Sequence, residues 1–462
     1  MSGRHRSGRR PSAVAVAGLA LLTTAVEVAP AEAGGMYLPM RGVRSTGRAG
    51  AFIAGVDDVS ALWINPAGLA AVAGASGLID ATFVGQQVTY DRTDSGGNPQ
   101  PSATNLAPGL PVPSVGFAVA LSERLVLAGG LWAPYAALGK YAEDGAQRYA
   151  SVDMSKSAIA TVGLGLAVKL GERIRLGATL QDHVTMLSTS IVLSGCPGQT
   201  VCAPEDPEFD SFNRVDQTTL FSPSGSVGIQ ADLGSKATVG AAVQLPVEIS
   251  GQGTLHSRLP SSGFFDGASV EGDRADVTLD LPLTVRLGLE LRPGRWRIEA
   301  ATTIERWSSQ KQLLIEPVGV RIVNAPGVGT YEFGKMVIPR NYRDTVAAQL
   351  GIEGQPSAGR PLTVRAGYLF ETGAPPDATL TVQTVDGSKH LATLGAGYRI
   401  GRWTVDAVLG YGVMPTRTVT QAEAQVPQLN PIRDQPDPPV YINAGTYSAS
   451  WLLAGLGVSR GF

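Results

Sequence analysis

Charge is what this chain has least of. Of its 462 residues only 16% are charged, 37 basic against 39 acidic, for a net charge of -2. Nothing resembles a basic footprint, so a nucleic-acid partner is excluded. There are two cysteines, Cys196 and Cys202, and four scattered histidines. No cluster for zinc or iron–sulfur ligation follows from them, so no metal and no cofactor is expected. The string Gly457-Val458-Ser459-Arg460-Gly461 lies within the alternating last strand and not on a strand-to-helix elbow, and no His-Glu-x-x-His is present, which leaves an enzyme without a motif to stand on. After the first few dozen residues there is also no run of about 18 apolar residues, so no transmembrane helix is expected in the mature chain.

What is present is an address, a period and much glycine. Residues 1–33 read as a secretory signal: Arg4, Arg6, Arg9 and Arg10, then an apolar stretch from Ala13 to Leu22, then Ala31-Glu32-Ala33 for the peptidase. An exported chain with no apolar helix is either soluble or a β-barrel. Hydrophobic content of 44% with 57 glycines suits alternating strands.

From Ala75 onward the period is two. The longest run is Val277-Leu279-Leu281-Leu283-Val285-Leu287-Leu289, with Thr278, Asp280, Pro282, Thr284, Arg286, Gly288 and Glu290 opposite. One face suits lipid and the other a polar lumen. Pro282 requires a bulge or a missing ladder partner within it. Fourteen strands are expected: 75–90, 113–121, 125–134, 158–169, 174–187, 221–231, 237–250, 275–291, 295–309, 344–354, 362–371, 389–400, 403–413 and 447–462. Short and long connections alternate between them without exception, the long ones including 188–220, 251–274, 310–343 and 372–388. Outer-membrane barrels have that pattern, with short periplasmic turns and long external loops. The last strand ends on Phe462, the kind of terminal aromatic that outer-membrane barrel assembly machinery reads. Cys196 and Cys202 flank Pro197-Gly198 in an external loop, and a disulfide between them is expected.

Residues 34–74 lack the period. Asp57 or Asp58 suits the cap of a short helix carrying Val59, Leu62 and Trp63, which Asn65-Pro66 ends. Gly47-Arg48-Ala49, Asp57-Asp58, Ser60-Ala61 and Asn65-Pro66-Ala67-Gly68-Leu69 resemble the N-terminal hatch of the FadL/TodX family. Gly130-Leu131-Trp132-Ala133-Pro134, Ile338-Pro339-Arg340-Asn341-Tyr342-Arg343-Asp344 and Leu394-Gly395-Ala396-Gly397-Tyr398 are similar to its later segments.

The resemblance implies an all-β fold, a fourteen-stranded antiparallel transmembrane barrel over 75–462 with a hatch over 34–74. It implies uptake of long-chain fatty acids or other hydrophobic compounds, such as aromatic hydrocarbons, into outer-membrane lipid. Asp57, Asp58, Asn65, Pro66 and Ala67 would belong to the gate. Gly129, Gly130 and Pro134 would weaken the third strand for a sideways exit. Phe264-Phe265 and Leu313-Leu314-Ile315 are candidates for an external greasy groove. Arg340, Arg343 and Lys335 are placed by position to meet a carboxylate. The alternatives are a passive porin and a structural or adhesive barrel.

Overall fold

The computed structural model describes residues 41–198, 200–326, 329–431 and 439–462; the signal reading of 1–33 lies outside them. Fourteen strands form a closed antiparallel barrel: β1 Ala75–Arg92, β2 Leu110–Ala120, β3 Leu125–Ala136, β4 Ala158–Leu170, β5 Ile174–Ser194, β6 Pro223–Asp232, β7 Ala237–Gln244, β8 Thr284–Leu291, β9 Trp296–Glu305, β10 Thr345–Gly354, β11 Leu362–Glu371, β12 Lys389–Ile400, β13 Trp403–Val419 and β14 Gly445–Gly461. Each pairs with its neighbours in chain order. β14 closes on β1 from Ser76 opposite Gly461 to Arg92 opposite Gly445. No helix among the described residues is long and apolar enough to cross a membrane. The strands do the crossing, because a closed ladder satisfies every backbone group against lipid.

The alternation places side chains as a lipid-facing wall requires. On β4, Val162, Leu164 and Leu166 point outward and are exposed, while Thr161 opposite them is buried. On β13, Trp403, Val405, Leu409 and Tyr411 do the same. Phe462 is exposed at the short-turn end, where the Arg460 guanidinium lies 4.5 Å from its ring centre and 4.8 Å from that of Trp403. An arginine on the outer face is thus sheltered by aromatics at the interface.

Two expected strands are each two elements. The run 275–291 breaks at Pro282 into Arg274–Leu281 and β8, and the run 237–250 breaks at Pro246 into β7 and Val247–Arg258. Proline offers no ladder donor, so each chain turns there. The apolar face changes its environment with the break. Leu287 faces lipid, whereas Val277, Leu279 and Leu281 are buried inside the protein.

Above the barrel, Asp210–Thr219, Val247–Arg258, Arg274–Leu281, Gln312–Val318 and Met336–Pro339 pair in that order and continue the wall of β5 beyond the membrane. A three-stranded sheet, Ser269–Glu271, Arg321–Ala325 and Gly329–Glu332, covers them. Cys196 and Cys202 form a disulfide in this external layer. Phe265 packs edge-on to Phe264 and Phe209 there. With Leu313 and Ile315 it belongs to the buried external core and not to an open groove.

Candidate functional site: a lumen closed from both ends

Residues 41–72 lie inside the barrel as two single-turn helices, Val43–Thr46 and Ala61–Ile64, and a 3-10 turn, Pro66–Ala71. The wall makes room for them by omitting side chains. A methyl group at Gly130 would lie 2.9 Å from a Leu62 methyl. One at Gly240 would lie 2.6 Å from the Ala54 Cα, and one at Gly351 2.8 Å from the Arg48 carbonyl. Gly177 and Gly228 face the Pro66 backbone and Asn65 even more closely. The abundance of glycine is in part this belt, where backbone must approach backbone.

Ion pairs fix the segment to the wall. Arg48 is fully buried, with Nη2 3.1 Å from Glu290 and 3.2 Å from Glu299. Glu299 also accepts the backbone N–H groups of Ile53, Ala54 and Gly55 at 2.5, 2.8 and 2.9 Å. A carboxylate so placed satisfies three donors of an irregular turn that no strand could reach. Arg44 donates to Asp57 and Asp58 at 2.7 Å each and forms a two-pronged pair with Glu353 at 2.9 and 2.6 Å. Arg297 reaches Asp57 at 2.7 Å. Burial pushes the Asp57 carboxyl up, but Arg44 and Arg297 outweigh it and hold the group below its ordinary value.

Asp57 and Asp58 therefore do not cap the short helix by side-chain bonds to its end. Asp58 accepts the Ser60 N–H at 2.9 Å, and Asp57 is taken by the two arginines. Asn65 joins three pieces: Nδ2 donates to the carbonyls of Ile53 (3.0 Å) and Ile229 (3.2 Å), and Oδ1 accepts the Ala67 N–H at 3.2 Å. Pro66 starts the 3-10 turn, where its fixed φ fits and its missing N–H costs nothing. Beneath the segment, at the short-turn end, is a cavity of about 750 Å³ lined by Arg44, Asp57, Asp80, Arg297, Glu353 and Arg365. Its walls are charged, which suits water and not an apolar solute.

Gly129 and Gly130 are laddered on both edges, to Phe117 and Gly116 on β2 and to Leu164 and Gly163 on β4. The strand is not interrupted there. Pairing with β2 ends at Ser114 opposite Trp132 and resumes as a backbone bond only between Leu106 N–H and Lys140 carbonyl, 2.7 Å. On the other edge the register with β4 shifts between Trp132 and Tyr135, around Pro134. The opening in this wall thus lies between 107–113 and 133–139, where Pro108, Pro111, Pro113 and Pro134 withhold donors.

The other end of the lumen is closed by 372–388, which turns inward and not outward. Leu380, Val382 and Val385 are buried. Tyr447 and Tyr141 donate to the Leu380 and Val382 carbonyls at 3.3 Å each, and Tyr342 to the Thr384 hydroxyl at 2.6 Å. The sequence signal for this was slight: Ala374 to Val385 carries a single charge, Asp377.

Between the two closures lies an apolar chamber filled by its own side chains, with voids of only about 20 and about 10 Å³ left in it. Tyr135, Ile159, Leu279, Leu281, Trp307 and Tyr342 line one narrow void, and Met154, Leu187, Val215, Val277, Leu313 and Ile315 another. Arg340 borders both. It is 5% exposed, and Nη1 donates to Gln310 at 3.3 Å. No carboxylate pairs with it among the described residues, and its Nε has no partner. Its guanidinium lies 5.6 Å from the Tyr342 ring centre. Lys335 and Arg343 are exposed, and Lys335 is paired with Glu316. Of the three cations marked in the sequence, only Arg340 is inside. Among the described residues no group of side chains is placed to hold a metal ion.

This closed fourteen-stranded chain, with residues 41–72 inside the barrel, matches a known family over most of its length. The family described as outer membrane protein transport protein (OMPP1/FadL/TodX) matches residues 24–453. The chain belongs to the FadL/TodX family of outer-membrane transport proteins. Among solved structures, a FadL homologue of Pseudomonas aeruginosa superposes with a TM-score of 0.72 at 20% identity, covering 92% of this chain and 99% of that one. The P. putida toluene transporter TodX gives 0.65 at 16%, covering 92% and 99%. The Ralstonia pickettii toluene transporter TbuX gives 0.62 at 17%, covering 92% and 99%. At these identities the likeness is one of fold. No curated protein sequence matches the chain. As a FadL/TodX protein it is a transporter and not an enzyme, and its short turns face the periplasm.

Proposed function

We propose that the protein takes up apolar compounds carrying one acidic head group, with long-chain fatty acids as the leading class, and releases them sideways into outer-membrane lipid. The observation that carries this is Arg340, a buried cation without a carboxylate partner among the described residues, at the edge of an apolar chamber. A buried charge that the protein leaves unpaired is a site waiting for its counter-charge. The chamber's apolar side chains part to take the chain, since an apolar solute gains by leaving water.

Residues 41–72 act as the hatch. Asp57, Asp58, Asn65, Pro66 and Ala67 form its hold on the wall, and moving it opens the path below the chamber. The wall gap at Pro134 is the exit, and Phe462 is the mark read by the assembly machinery. The neighbours whose names mention toluene support a second reading, uptake of an aromatic hydrocarbon, for which Arg340 has no use.

The test compares Arg340→Gln with the parent for uptake of labelled oleate and labelled toluene. A charge-assisted bond is worth about 1.5–3 kcal/mol, so oleate uptake at limiting concentration should fall about ten- to hundredfold. Toluene uptake should not change. Equal loss of both, or loss of neither, removes Arg340 from ligand binding.

A further inference from the structure

The barrel wall has a second break, away from β3. On one side 218–224 descends from Asp210–Thr219 into β6; on the other 246–252 rises from β7 into Val247–Arg258. The last ladder pair above is Gln217 opposite Gly253. The next links below are the Ser224 hydroxyl, donating to the Leu245 and Pro246 carbonyls at 3.1 and 3.4 Å, and then the Leu245 N–H to Gly225 carbonyl bond, 2.9 Å. No backbone hydrogen bond joins the two stretches between these points, although both have the same number of residues and a continuous ladder was available in register. Two local causes hold it open. Pro246 has no N–H, and 220–222 form a three-against-two bulge opposite His183 and Val184 of β5.

An open sheet edge does not persist against hydrocarbon without a use. The surface here is mixed: Leu220, Phe221 and Leu245 are exposed beside exposed Glu248 and Ser250. That composition places the seam where the apolar band meets the outer head groups. Directly inside are Val247 and Ile249, both buried in the same apolar cluster as Tyr135, Trp307 and Tyr342. The seam therefore lies against the apolar side chains that line the Arg340 chamber. Access from water is blocked by 372–388, held by three tyrosine hydroxyls. Leu220 and Phe221 project outward at the seam and neither takes part in a ladder, so access through it needs the buried Val247 and Ile249 behind them to part.

We infer that this seam is a side portal through which an apolar or single-chain amphiphilic compound dissolved in the outer leaflet reaches the chamber without crossing water. The inference rests on the transport reading above and names a second route to the same site. The head group stays at the interface until the tail has passed Val247 and Ile249, then meets Arg340.

The full chain, folded into phospholipid vesicles, is irradiated with palmitic acid carrying a terminal diazirine and the adducts are mapped by mass spectrometry. Adducts are expected on Leu220, Phe221, Val247 or Ile249. In the double variant Leu220→Asp/Phe221→Asp, assembly judged by heat-modifiable mobility should persist, because no ladder bond is removed. Transfer of membrane-loaded probe should be lost. Adducts confined to the external loops and to the gap at 107–113 and 133–139, with transfer unchanged in the double variant, overturn the portal and leave the transport reading standing. A parent protein that moves no probe overturns both.

Discussion

Arg48 and Glu299 face each other at 3.2 Å with neither side chain reaching solvent, although 251 positions separate them in the chain. The pair ties the turn after Val43–Thr46 to β9. Removing one member of a buried pair costs about 3–5 kcal/mol, because the other charge stays behind. In Arg48→Met, Glu299 keeps its three backbone donors but loses its cation. The barrel should still assemble, since its ladder is untouched. Leakage of a small polar dye from vesicles should rise. Parent-level leakage in an assembled variant refutes the clamp.

Asn65→Ala removes the side chain that joins Ile53, Ile229 and Ala67. The Ala67 N–H loses its acceptor, at about 1–3 kcal/mol, while the Ile53 carbonyl keeps the Gln230 amide. Pro66→Gly frees the φ that starts the 3-10 turn. Both variants should show parent-like heat-modifiable mobility and reduced oleate uptake. Normal uptake in both makes the Asn-Pro-Ala turn a connector only.

Gly130→Trp meets the interior and not the lipid. Its side chain is directed at Leu62 and the Val115 carbonyl, so it displaces the buried segment before it can fill any exit. The expected phenotype is a protein that leaks polar dye, together with poorer assembly. A block of oleate uptake with no leakage would place the exit at this residue after all. Bulk at the gap itself, as in Ala133→Trp, is the cleaner plug.

Acid should loosen the segment late. The Asp57 carboxyl is held below its ordinary value of 3.8 by Arg44 and Arg297 against the opposing effect of burial. A group depressed in the folded state contributes fully above its unfolded value and loses that contribution as pH falls through the folded one. Dye leakage should therefore be flat from about pH 8 to about pH 5 and rise only below about pH 4. The side chain is 37% exposed, so solvent screening keeps the effect modest. Asp57→Asn should remove the acid-dependent part and leak slightly at every pH.

Much of the wall was readable from alternation, because a strand between lipid and lumen must change polarity at every residue. Alternation does not say which medium the apolar face meets. Val277, Leu279 and Leu281 have the same pattern as Val285, Leu287 and Leu289, yet the first three face a protein core and Leu287 lipid. Pro282 marks the boundary, and a proline in a strand signals a broken ladder without saying that the surroundings change there. The site was less visible. Asn65 and Asp57 stood in a recognisable stretch, but Glu299 looked like any lumen-facing acid until the fold brought it to Ile53. Arg340 was one of three equivalent cations until burial separated it from Lys335 and Arg343. The inward turn of 372–388 has no period to betray it.

The bare places on the inner wall also fix what remains when their occupant leaves. Where most barrels are lined with side chains that must be swept aside, Gly130, Gly177, Gly228, Gly240 and Gly351 present only main chain. The vacated track would be wide by the missing side chains, lined by main chain and by the stranded charges of Glu290, Glu299, Glu353 and Arg297. The mould that grips the resting form is in this way also a water channel in waiting, which only its occupant keeps shut.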